Sequence, residues 1–370
     1  MDDPRPNVSG PADRQSAGEH MGPFILRRTG VMIITALCLT FIVFVMTNLY
    51  PNLEKLAKTE GNFRMSDEAV ASWLDKNGYG QPMLLKYGQW LGVVPGWQRS
   101  GEEGVTGRCI DGTVTPEEAA QAARFCGILQ GDWGYSTRFK TDVSEIIQTR
   151  LGNTGYLMMW VLILMVPSAL IVGVLAGMRE GSATDRSLST VSIMTTATPE
   201  YVSGVIFIAV FASSTVGLKW FKGTATAAME NPTFENFFLP VLTIALYGMG
   251  YIARMTRASM TEVMTAQYIR TARLKGVSFP NIVLRHALRN ALIAPFTVIM
   301  LQFPWLLNGV VIVETLFNYK GFGWALVEAA SNNDIELLLA ISVVSVIVVL
   351  LTQLISDIGY IFLNPRIRIS

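Results

Sequence analysis

The amino-acid sequence predicts an all-α, polytopic membrane protein with six transmembrane helices and one external subdomain between the first two. Three observations predict it. Of 370 residues, 51% are hydrophobic and 15% charged, where soluble domains carry roughly 25% charged residues. Six windows long enough to cross a bilayer lack any charge: Thr29 to Leu53, Leu151 to Met178, Tyr201 to Leu218, Asn236 to Ala253, Asn290 to Val313 and Leu337 to Ser356. The basic residues near span ends gather on one set of connections, 179 to 186, 254 to 289 and the two tails, whereas the opposite loops hold three Lys and four acids. Basic loops stay inside, so both termini are expected in the cytoplasm. The net charge of +1 identifies no partner beyond lipid, and without basic runs interleaved with aromatics nucleic acid is not expected.

Residues 1–20 are polar, rich in Pro, Gly and Asp, and read as a disordered cytoplasmic tail. Residues 21–50 form an amphipathic segment and the first span, with Arg27 and Arg28 at its inner end and Cys38 as a packing residue. Residues 51–150 are the external subdomain. Ser66, followed by Asp67 and Glu68, starts a helix that ends near Gly78. Farther on, a capping box from Thr115 to Glu118 opens a short helix between Cys109 and Cys126. On an oxidising face these two cysteines have two readings, free thiols or a bridge worth roughly 3 kcal/mol. With no histidine nearby, a zinc site is not expected.

Residues 151–363 are the membrane core. Pro199 and Glu200 interrupt the third span, where proline favours a kink. An acid at that depth faces a cavity or another chain. Glu200 therefore either lines a translocation path or hydrogen-bonds a partner subunit. Glu314 is expected at the outer water interface. After Asn318 a short amphipathic helix would place Trp324, Val327 and Ala330 on one face, either in the membrane surface beside a docking partner or as a simple connector. Residues 364–370 are a cytoplasmic end.

The most informative stretch is the inner connection, 254–290. From Arg254 to Ala294 it carries seven Arg or Lys against one acid, Glu262. A helical run reaches Lys275, Gly276 stops it, Ser278 can cap a new start, and a second run follows from Asn281. Taken alone, this segment either transmits motion from another protein or rests on lipid headgroups.

The run QYIRTARLKGVSFPNIVLRHALRNALIAP resembles the coupling loop of ABC importer permeases of the dipeptide, oligopeptide and nickel branch. The general signature is Glu-Ala-Ala, three residues, Gly, nine residues and Ile-x-Leu-Pro. Here Arg270, Thr271 and Ala272 stand for the triplet, Gly276 and Leu288 fit, and Arg270, His286 and Arg289 depart from it. The outer segments NGYGQPMLLKYGQWLG and GDWGYSTRFKTDVSEIIQTRLGNT, and the ending DIGYIFLNPRIRIS, are similar to the same branch, with Trp133 and Asn364 as substitutions. MGPFILRR resembles the way many members begin, which implies a translation start at Met21. Only 94–130 falls outside the resemblance.

The resemblance implies a type I ABC importer permease of the bacterial inner membrane. It also implies three kinds of partner: a second homologous permease, two ATPases, and a periplasmic or extracellular solute-binding protein. Tyr268 and Ile269 would give the ATPase apolar contact, Thr271, Ala272 and Gly276 close approach, with Arg270 and Lys275 beside them. The chain shows no phosphate-loop motif and no catalytic triad, so it is not expected to be an enzyme or to bind a cofactor; ATP and Mg belong to the partner ATPases. Short peptides are the implied cargo, with nickel chelates, opines or sugars as alternatives. The other function class is a secondary transporter or channel, which needs inverted repeats or several intramembrane charges; only Glu200 lies clearly inside a span.

Overall fold

A computed structural model describes residues 12–101, 104–213 and 217–363. The first helix, α1 (Ala12–Thr47), contains the first span. Its opening turns correct the expected structureless tail, because residues 12–20 are helical. Ala12, Arg14, Gln15, Ala17 and Glu19 favour helix and simply continue α1 backwards; residues 1–11 lie outside the described part.

Outside the membrane, α2 (Tyr50–Glu60) carries Pro51 in its first turn, where a missing N–H leaves nothing unsatisfied. In α3 (Asp67–Lys76) the Ser66 hydroxyl accepts from the Ala69 N–H at 3.3 Å, so this helix starts where the acids predicted. After α4 (Met83–Leu91) the chain departs from the all-α expectation. Strands β1 (Gln98–Gly101), β2 (Gly104–Gly107) and β3 (Ile110–Val114) form an antiparallel sheet in the order β1-β2-β3. They are short, polar and glycine-rich, so no alternating apolar pattern announced them. The capping box then opens α5 (Pro116–Gln121), with the Glu118 N–H donating to Thr115 Oγ1 at 3.3 Å and the Thr115 N–H to the Glu118 carboxylate at 3.0 Å. Cys109 and Cys126 are joined, their Cα atoms 5.5 Å apart, which pins the β2–β3 turn to the segment after α5.

Among the described residues, four continuous helices are long and apolar enough to cross a bilayer: α1, α6 (Val143–Gly177), α9 (Phe234–Thr265) and α15 (Ile335–Leu363). Two more spans are bent. The first pairs α7 (Ala183–Ala197) with α8 (Glu200–Phe207) and its π-helical extension Ile208–Ala212, bent by 103° at Thr198 and Pro199. Because this helix ends at Ala212, the expected span Tyr201 to Leu218 is too long at its outer end. Ser213 and Gly217 release the backbone there, and the Leu218 N–H turns back to donate to the Val210 carbonyl at 2.8 Å. The second bent span leads into α13 (Ile293–Leu316) through a 51° break. Counting each bent pair once gives six. Length also exceeds expectation in α6: its 35 residues extend roughly 50 Å against a hydrocarbon core of about 30 Å, so its first turns stand outside the bilayer.

Packing divides into four apolar cores. The central one joins α6, α9 and α13 around Leu157, Met165, Ile244 and Val313. Gly173 and Gly177, one helical turn apart on α6, let α9 approach until a Cβ would lie 2.6 Å from the Ala253 carbonyl at the first and 2.7 Å from the Arg257 carbonyl at the second, the close-packing device of membrane helices. A second core places Leu53, Leu56, Val70, Leu74 and Trp90 of the external helices on the outer ends of α1 and α15. A third joins the start of α6 to α15 and to α14 (Phe322–Ser331), whose inward face is Phe322, Ala325 and Ala329. On the opposite side Val327 and Ala330 of the expected face are exposed, while Trp324 is half-buried with the Arg150 guanidinium 5.5 Å from its ring centroid. Glu314 is likewise buried rather than at the water interface: Thr154 Oγ1 donates to it at 2.5 Å and the Trp324 N–H at 2.9 Å, so the carboxylate caps α14. The fourth core lies under the inner connection.

Candidate functional site

The inner connection leaves α9 through a break that the sequence did not announce. Ala266 is extended, with φ −64° and ψ 149°, and separates α9 from α10 (Gln267–Leu274). Lys275 ends α10, and Gly276 follows with φ +75°. The Gly276 N–H donates to the Arg273 carbonyl at 3.0 Å and the Val277 N–H to the Ala272 carbonyl at 3.2 Å. These two bonds form a Schellman motif, which requires the left-handed residue that glycine supplies. A Cβ at Gly276 would meet nothing within 4 Å, so backbone conformation alone selects it there.

Beyond the bend, α11 (Phe279–Asn281) begins at Phe279 rather than at Asn281. Ser278 occupies the capping position, yet its hydroxyl makes no capping bond. The helix continues as a π-helical stretch, Ile282–Ala287, and α12 (Leu288–Ala291) before α13.

The sequence-predicted coupling residues divide between two faces of α10. Ile269 and Ala272 are buried against Met260, Met264, Ile282, Val283 and Ala287. They anchor α10 to its own chain and are not the contact surface expected of them. Tyr268, Arg270, Thr271, Lys275 and Gly276 are exposed, and so is Leu274, at 81% the most exposed large apolar side chain described. Leu274 was missed because in a run of basic residues it reads as ordinary helix filling. The Tyr268 hydroxyl accepts from Asn290 Nδ2 at 3.0 Å, which ties α10 to α12.

A second anchor comes from the connection 179–186. The buried Asp185, 2% exposed, receives Arg257 in a two-point bond, Nε to Oδ1 at 2.5 Å and Nη2 to Oδ2 at 2.8 Å. It also accepts from the Gly181 N–H at 2.8 Å and the Ser189 hydroxyl at 3.1 Å. Arg179 stands 5.5 Å from the Phe279 ring centroid, so the same connection grips the segment beyond the bend. Bidentate geometry of this kind fixes orientation as well as distance. The sequence showed Asp185 only as one acid in a short basic loop; its spacing three residues after Ser182 was the available signal, and the Asp185 N–H donates to Ser182 Oγ at 3.1 Å. At the same face, Arg28 of α1 pairs with Asp357 of α15 at 2.6 Å.

Glu200 opens α8 immediately after the bend, and its Oε1 is buried without a partner in this chain. Cys109 and Cys126 lie at the other end of the molecule. Among the described residues, no group of three His, Cys, Asp or Glu side chains could hold a metal ion.

Comparison with known proteins follows the same architecture. The family described as "Binding-protein-dependent transport system inner membrane component" matches residues 169–369, the part that holds the inner connection. The "Oligopeptide transport system permease protein AppB" of Bacillus subtilis is 30% identical over 354 residues, covering 94% of this chain and 100% of that protein. The "Probable peptide ABC transporter permease protein y4tP" of Sinorhizobium fredii is 30% identical over 348 residues, with 94% and 100% covered. The "Glutathione transport system permease protein GsiC" of Salmonella typhimurium is 32% identical over 241 residues, 65% of this chain and 76% of that one.

Proposed function

The chain belongs to the family of binding-protein-dependent transport system inner membrane components, and from that membership we propose a permease subunit of a peptide importer that takes its power stroke through α10 and Gly276. The observation that carries this reading is the two-sided construction of α10. Ile269 and Ala272 hold it on the inner core while Tyr268, Arg270, Thr271, Leu274 and Lys275 face outward. A lever must be fixed at one side and free at the other. The exposed Leu274 supplies the apolar contact that a separate ATPase would cover.

Energy comes from outside this chain: two ATPase subunits hold ATP and Mg, and this subunit binds neither. A second homologous permease completes the path, and a solute-binding protein delivers cargo at the outer face. Both ends of the membrane core are cytoplasmic, a reading supported by the Arg28–Asp357 pair, which puts the start of α1 beside the end of α15. Short peptides are the cargo, as the names of the relatives suggest. Glu200 lines the path and favours cationic or amino-terminal groups; its unpartnered oxygen supports this. Glu200→Gln should lower uptake of cationic peptides and spare neutral ones, and equal uptake of both would remove Glu200 from the path.

Co-purification tests the main reading. An ATPase subunit should follow the wild-type chain through purification and be lost with Gly276→Asp, while both forms reach the membrane in equal amounts. Peptide uptake by the isolated chain in vesicles without an ATPase would overturn it in favour of a secondary transporter.

A further inference from the structure

We propose that the external subdomain binds a free small amino acid in a cavity closed by the 94–130 insertion. The cavity, about 150 Å³, lies over the outer ends of α1 and α15, among residues of the external core and apart from those of the inner one. Its lining brings Glu336 from the first turn of α15 together with Arg108 from the β2–β3 turn and Lys86 from α4. Tyr79, Trp90 and Trp97 supply the walls.

The charges carry the inference. Glu336 Oε2 and Arg108 Nε are both buried without a hydrogen-bond partner. They form no direct bond with each other. Opposite charges that line one cavity without bonding each other suit a ligand that carries both signs. An α-ammonium group would donate to Glu336, and an α-carboxylate would accept from Arg108 beside Lys86. The aromatic walls lower the local dielectric, which strengthens both contacts. Size restricts the ligand: a cavity of roughly 150 Å³ accepts a molecule of benzene's size, which suits glycine, alanine or serine and leaves no room for a peptide.

The charged atoms are also held in place. The Arg108 N–H donates to the Trp97 carbonyl at 3.0 Å, and the neighbouring Cys109 is bridged to Cys126. The Gly96 N–H donates to the Arg124 carbonyl at 2.9 Å, closing the base of the insertion. Opposite, a Cβ at Gly134 would come within 2.8 Å of Glu336 Oε2, so the glycine leaves the carboxylate its place.

Equilibrium binding of radiolabelled L-alanine to the full chain in lipid nanodiscs tests the site, and needs neither ATPase nor transport. Binding should saturate with one alanine per chain and a Kd of roughly 1 mM or tighter. Glycine and L-serine should compete; N-acetyl-L-alanine, without the ammonium, and L-alaninamide, without the carboxylate, should compete at least tenfold less well. Glu336→Gln and Arg108→Gln should each weaken binding at least tenfold and keep the Cys109–Cys126 bridge by intact mass. The analogue series requires only the wild-type chain, so it decides the matter even where a variant fails to fold. Absence of saturable alanine binding, or equal competition by the two analogues, overturns the proposal.

Discussion

Gly276 and Asp185 illustrate how single residues set the geometry of the inner face. With φ +75° and open space around its Cα, Gly276 resists substitution through its backbone, and alanine there should cost roughly 1–2 kcal/mol. Aspartate tolerates the left-handed region better than alanine. A larger loss of ATPase co-purification with Gly276→Asp than with Gly276→Ala would therefore report a repelled contact surface, whereas the reverse order would mean that only the turn matters. The buried Asp185 makes a different prediction. Asp185→Asn strips the charge from a two-point bond to Arg257 and should destabilise the chain in detergent by about 2–5 kcal/mol, toward the low end because the Arg257 side chain is 31% exposed. Adding Arg257→Gln should cost less than the sum of the two single changes; full additivity would show that the pair is not coupled. The glycine stop was legible because few residues serve at a helix end. The Asp185–Arg257 pair was not, since 72 residues separate its members and no local pattern joins them.

At the scale of elements, the two faces of α10 make separable predictions. Leu274→Glu should abolish ATPase association while leaving the melting temperature within a few degrees, because the side chain is 81% exposed. Ile269→Ala should lower stability by about 2–5 kcal/mol, the range for emptying a fully buried position. Identical behaviour of the two variants would refute the division of faces. In the insertion, a bridge closing 17 residues should contribute roughly 3 kcal/mol, read as a lower unfolding midpoint after reduction. Alkylation of both thiols in unreduced native protein would contradict the pairing. Helices with caps and charge-free length, such as α3, α5 and most spans, were legible. The break at Ala266 was not, because tertiary packing sets it and its residues suit a straight helix equally well; the 103° turn falls at the Pro199 that predicted a kink, and only its size and the shortness of α8 escaped. The sheet escaped for another reason: its strands are four or five residues long and bury only Val105 among those described.

The whole molecule is four apolar cores arranged from the outer subdomain to the inner face. Composition and the six charge-free windows made its membrane character legible. Which residues of the coupling segment turn outward could not be read in one dimension, because the amphipathic face of α10 is decided by the π-helical stretch that packs beneath it. The central claim is that this stretch is fixed to the permease on one side and seized by an ATPase on the other. Cysteine cross-linking in native membranes tests it most directly, with Leu274→Cys and Ile269→Cys compared in the same preparation. The account predicts that the first forms a cross-link to the ATPase subunit that changes in yield with ATP and the second forms none; a Leu274→Cys thiol that reacts only with reagents applied from outside the cell would contradict it.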